Sequence, residues 1–257
     1  MNQPWRTAVF EGAGALLWWD LTTGESGADV WDAAIAAGWL DAPRDLMREA
    51  AVTAWQEAWW PASRVAGVEP LDPRVLAARR ASALAALDGI TDDDEAAERA
   101  LRELAAHVAR LGPVDAPAPA ARQEDYELAA GGTGSGGSVL REGTEPVDPG
   151  AVPQGVVDPL GLVAWRIVLP MTVEVTVPAA PVVGDPHPAR LHAVADGATD
   201  RLTVPLHRTG GLWQGTALAH PALLAGQATF RLEAPGFPRV AGVDAHLLVE
   251  IARGMTP

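Results

Sequence analysis

Apolar residues recur along this chain with two different periods, and the change of period divides it. Over the first hundred or so residues the spacing is helical. Ser26 is placed to cap a helix in which Trp31, Ile35 and Trp39 share one face at i, i+4 and i+8. Asp41 and Pro43 open a second helix with Met47, Ala51, Trp55 and Trp59 in one stripe, and Pro61 sets its end. Asp72 followed by Pro73 gives the cap and first-turn proline of a third, which runs through Leu76, Leu84 and Leu87 to Gly89. A fourth opens at Thr91 with Asp92, Asp93, Asp94 and Glu95, carboxylates that favour the positive end of a helix. Its stripe is Ala97, Leu101, Leu104, Val108 and Leu111, closed by Gly112 and Pro113. Four helices with short connections predict a small bundle.

Towards the C-terminus the period falls to two. Val173, Val175 and Val177 alternate with Thr172, Glu174 and Thr176, and Val243, Ala245, Leu247, Val249 and Ile251 alternate with Asp244, His246, Leu248 and Glu250. Five more strands are expected at 162–169, 189–195, 201–206, 211–218 and 227–232, each bounded by Gly or Pro. Pro170, Pro178 and Pro205 belong at strand ends or edges, because proline cannot donate to a ladder. Seven closely spaced strands predict an antiparallel β-sandwich of immunoglobulin-like type. The expectation is therefore a two-domain α+β chain: a Trp-rich acidic helical domain over 1–111, a linker over 112–157 and a β-sandwich domain over 158–257. The linker segment carries nine Gly and six Pro, with the tract Gly131 to Ser138 at its middle.

Charge sharpens this division. The net charge is −14, and every basic residue is Arg. Residues 1–111 hold 18 acidic against ten basic residues, the linker seven against two, and the remainder eight against seven. Nothing here supplies the clustered positive charge that phosphate neutralisation needs, so a nucleic-acid partner is not expected. The absence of Cys excludes disulfides, thiolate zinc sites, iron–sulfur clusters and a cysteine nucleophile. The first residues, MNQPWRTAVF, lack the basic region and apolar core of a signal peptide. The apolar run from Ala13 to Trp19 falls far short of the ~20 residues that cross a bilayer. A cytoplasmic protein with no membrane contact is the expectation.

Asp185, His187, His192, Asp196 and Asp200, with His207 close by, form the strongest ionisable cluster. The residue types suit zinc or iron, but His187 sits in a proline-bracketed turn and no HExxH or HxH spacing occurs. His220 and His246 are more isolated still. Gly12-Ala13-Gly14 lacks the third glycine of a dinucleotide loop, since position 17 is Leu, and Gly134-Ser135-Gly136 lacks the first glycine of a nucleophile elbow. No catalytic residue, metal or cofactor is expected.

Tryptophan is the anomaly, with eight of ten in the first sixty residues. The doublets Trp18-Trp19 and Trp59-Trp60 cannot both turn two indoles into one narrow helical stripe. Trp59 continues the stripe of Met47, Ala51 and Trp55, which leaves Trp60 as the outward ring. Trp18, Trp19 and Trp60 are accordingly the candidate partner-binding residues. This composition reads as a non-catalytic interaction or adaptor protein that docks a protein or peptide partner. The alternatives are an enzyme or accessory subunit with a site near Asp185, His187 and His192, and a carbohydrate-binding module using Trp213.

Overall fold

The computed structural model describes residues 3–12, 14–32, 44–87, 138–184, 189–196, 201–225 and 228–255. Ile35, Trp39 and the helix expected from Thr91 to Leu111 lie outside the described residues, as do Asp185, His187, Asp200 and the tract at 131–137. The chain divides into two compact units.

The first unit draws on Met1–Trp60, Leu71–Asp115 and Glu250–Pro257. It is not a helical bundle. Its N-terminal part is an antiparallel sheet of β1 (Thr7–Gly12), β2 (Ala15–Asp20) and β3 (Ser26–Val30), in that order. The helix expected to begin at Ser26 is thus replaced by a strand over its described residues. Among the described residues of Met1–Trp60 and Leu71–Asp115, two helices accompany the sheet. Helix α1 (Arg44–Trp59) packs on β1 and on α2 (Pro73–Ala86). It buries Met47, Ala50, Ala51 and Trp55, and the Trp55 indole donates to the Trp5 carbonyl at 2.9 Å. Asp72 caps α2, its carboxylate accepting the Arg74 amide at 2.9 Å, with Pro73 in the first turn.

The second unit comprises Pro61–Pro70 and Ala116–Val249. Its strands are β4 (Val139–Pro146), β5 (Leu162–Val168), β6 (Thr172–Pro178), β7 (Leu191–Asp196), β8 (Arg201–Thr209), β9 (Leu212–Leu218) and β10 (Phe230–Glu233). They form one antiparallel sheet in the order β10-β7-β8-β9-β6-β5-β4. A sandwich needs two sheets with separate ladders, and here the ladder is continuous. Strand β8 makes it so: Arg201 to Leu206 pair with β7, and His207 to Thr209 pair with β9. Pro205, opposite His192, has no N–H and lies where β8 passes from one partner to the other. The sheet curls until β10 packs on β5 and β4, and the rings of Trp165 and Phe230 come to 5.2 Å. Val163, Ile167, Val173, Val175, Val177 and Trp213 fill the enclosed core.

Two further elements depart from expectation. Strand β4 occupies part of the Gly/Pro-rich stretch. The alternating stretch from Val243 is a helix, α4 (Ala245–Met255), not a strand. The Asp244 carboxylate accepts the amides of His246 at 2.9 Å and Leu247 at 3.1 Å, a cap that starts the helix, and Leu248, Val249, Ile251 and Ala252 are buried at helical spacing. The short helix α3 (Ala222–Ala225) precedes β10. No described helix is long and apolar enough to cross a membrane.

Candidate functional site

Residues opposite one another on neighbouring strands share a face, so the pairing of β1, β2 and β3 sorts their side chains. One face carries Ala8, Phe10, Ala15 and Leu17, all buried. The other carries three rows, the first of them buried Thr7 opposite Asp20. Val9 stands opposite Trp18, which stands opposite Gly27; Glu11 stands opposite Leu16, which stands opposite Asp29. Val9 is 41% exposed, Glu11 and Asp29 are exposed, and Trp18 is half-buried. The Trp18 indole lies over Gly27, where an added Cβ would stand 2.6 Å from Trp18 Cζ2. Only glycine leaves room for the ring there. Among the described residues Trp18 has no ring or cation contact. Just past β3, Trp31 is 59% exposed, with its N–H bonded to the Gly14 carbonyl at 3.0 Å.

The turn from β2 to β3 is held by Asp20. Its carboxylate accepts the Thr22 hydroxyl and the amides of Thr22 at 2.8 Å and Thr23 at 3.0 Å, and Arg6 lies 3.6 Å away. Burial alone would raise the Asp20 carboxyl, but these hydrogen bonds and the Arg6 charge together hold it below the ordinary carboxylate range.

Trp19, beside Trp18, belongs to the opposite face, in line with Ala8 and Ser26. The two indoles therefore part across a strand, not around a helix. Trp60 is 9% exposed whereas Trp59 is partly exposed, which reverses the order expected from the helical stripe. Pro61 ends α1 at Trp59, so Trp60 leaves the helical path and its side chain no longer follows the 100° step. A ring so covered offers a partner little area.

Of the ionisable cluster, the structure places His192 on β7 opposite Glu233 and Pro205, and His207 on β8 opposite Gln214. Among the described residues no three His, Asp or Glu side chains converge as metal ligands. Trp213 is core, its indole donating to the Val156 carbonyl at 2.7 Å, and so gives no flat platform to a sugar. A cleft of about 370 Å³ is lined by Asp148, Glu233, Phe237, Arg231 and Arg239, but its carboxylates are already paired, Asp148 with Arg239 at 2.7 Å and Glu233 with Arg231 at 2.9 Å.

The residues that complete the outer face, Val9, Glu11, Leu16, Gly27 and Asp29, carry no motif. The signal that finds them is the ladder register, which a sequence alone does not display. No protein-family model, no curated protein and no solved structure matches this chain.

Proposed function

We propose that the chain is a cytoplasmic interaction protein whose three-stranded sheet docks a basic segment of a protein partner, with Trp18 as the anchor. The observation that carries this reading is the Trp18 indole, laid over Gly27 on the outer face with no cation or ring upon it among the described residues. An indole face attracts guanidinium and ammonium groups, and Trp is the residue most enriched at interface hot spots. Among the described residues arginine is used in this way twice, Arg6 over Trp5 at 5.9 Å and Arg141 over Trp165 at 5.7 Å. Around Trp18, Val9 and Leu16 supply apolar contact, and Glu11 and Asp29 supply carboxylates that have no ion pair among the described residues. The acidic excess of residues 1–111 adds long-range attraction for a positive partner.

An array of short peptides in which Arg or Lys alternates with aliphatic residues, set beside neutral and acidic counterparts, tests the reading. Expected is selective binding of the basic peptides that weakens with added salt and falls at least tenfold in Trp18→Ala, with Glu11→Gln and Asp29→Asn each intermediate. Equal binding of neutral peptides, or unchanged binding by Trp18→Ala, overturns it.

A further inference from the structure

In the second unit the loop Pro61–Pro70 is pinned by a carboxylate. Asp158, 1% exposed, accepts the Ser63 hydroxyl at 2.7 Å, the Arg64 amide at 2.9 Å and the Leu160 amide at 3.1 Å. Ser63 and Val68 exchange backbone hydrogen bonds at 2.9 Å each, and Gly67 turns the loop at φ 66. The backbone that bears Arg64 is thereby fixed, and its guanidinium stands over Gly211, where an added Cβ would lie 2.9 Å from Arg64 Nη1. Three residues before Gly211, on β8, Arg208 donates from Nη2 to the Ala180 carbonyl at 3.0 Å. Its Nη1 is covered and has no acceptor among the described residues.

Neither arginine has an ion pair among the described residues, in a chain where acids outnumber bases 33 to 19. Each ion pair described above joins an arginine to a carboxylate; here the Ala179 amide donates to the Gly211 carbonyl at 2.9 Å, which brings the Ala180 carbonyl that holds Arg208 next to the glycine under Arg64. Burial pushes the Arg208 guanidinium down from its ordinary range and the charge of Arg64 pushes it further, with no acid opposing. A folded chain keeps two like charges together at a cost that a bound counter-charge removes.

We propose that Arg64 and Arg208 form a binding site for a small oxyanion of the phosphate type, seated between the two guanidiniums. Such a group presents several acceptors to planar, forked donors and turns their repulsion into attraction. Arg64 is the exposed member and admits the ligand; Arg208, anchored on Ala180, is the fixed one. Arg64 and Arg208 belong to the second unit and Trp18 to the first, and neither reading depends on the other.

Inorganic phosphate is the probe, titrated into the full chain with sodium chloride matched in ionic strength as the control, and read by thermal unfolding and calorimetry. Expected is a saturable rise in melting temperature with phosphate that chloride does not reproduce, and at least tenfold weaker binding in Arg64→Gln. A second readout needs no ligand: without phosphate, Arg64→Gln should melt at the same temperature as the native chain or higher, because a repulsion has been removed and the side chain is exposed. A linear, unsaturated rise, or equal phosphate binding by Arg64→Gln, overturns the site. Trp18→Ala should bind phosphate as the native chain does, and loss there would equally count against it.

Discussion

Trp165 in the large sheet and Trp18 in the small one face the same neighbour across a ladder, a glycine, and end in different surroundings. A Cβ at Gly143 would stand 2.5 Å from Trp165 Cζ2, and one at Gly27 would stand 2.6 Å from Trp18 Cζ2. The local pair is the same to within a tenth of an ångström. Trp165 then has Phe230 at 5.2 Å and Arg141 at 5.7 Å, because the sheet curls and brings β10 onto β5. The small sheet has three strands, and half-buried Trp18 has no ring or cation contact among the described residues. What buries an indole is therefore the path of the sheet beyond the pair. The same two residue types give a core in one unit and a surface in the other.

Truncating the rings should break the symmetry most strongly. Trp165→Ala leaves a cavity in a closed core and is expected to cost roughly 3–5 kcal/mol, whereas Trp18→Ala should cost less than about 1 kcal/mol. Urea unfolding followed by circular dichroism measures both, and equal losses would show that the uncovered face is an illusion.

Filling the glycines comes next. Gly143→Ala drives a methyl into a ring that Phe230 and Arg141 prevent from moving, and about 1–3 kcal/mol of overpacking is expected. At Gly27→Ala the Trp18 ring can swing outward, and the gain from a less flexible unfolded chain offsets part of the strain. A net change within about 0.5 kcal/mol is expected, together with greater access of Trp18 to a soluble quencher. Similar costs at the two positions would mean that Trp18 is as firmly held as Trp165.

The smallest effect is an acid limb specific to the small sheet. The folded Asp20 carboxyl releases its proton more readily than in the unfolded chain, where 3.8 is its ordinary value. Ionised Asp20 therefore favours folding, fully above that value, and its contribution fades as pH falls through the lower folded value. Asp20→Asn should flatten the decline in stability below pH 4 by a modest amount, since the group is partly exposed. An unchanged acid limb in that variant would remove Asp20 from the account.

Much of the large sheet can be read from period two, because β5 and β6 each turn alternate residues to one core. Helices α1 and α2 are readable from their prolines and the Asp72 cap. Strand β2 is not, since Leu16 and Trp18 put apolar residues on the outer face as well and erase the alternation. Strand β4 is hidden by its Gly143 and Pro146, residues that read as linker and are held in place by Trp165 and by β5. For α4 the run from Val243 fits both periods, and the Asp244 cap decides. One sheet instead of two depends on β8 changing partner, a matter of hydrogen-bond register that composition does not carry. In the site, the Trp18-Trp19 doublet yields one ring on each side whether wound as helix or extended as strand. Trp60 fails because a helical wheel stops applying at the residue before a proline.

The residues of the clip at Ser63 and Arg64 leave the ribosome long before the carboxylate that receives them. Ser63 and Asp158 are 95 positions apart, which at ordinary rates of synthesis is a wait of about 5–20 s. The first unit waits longer, since its last portion is Glu250–Pro257. Vectorial synthesis thus runs against the architecture: Met1–Trp60 emerges well before Glu250–Pro257, which completes its unit. During that interval Trp60 and Val68, buried in the finished protein, have no complete structure to enter. The nascent chain therefore offers apolar side chains to whatever chaperone attends the exit tunnel, and the speed of translation enters the yield of folded protein.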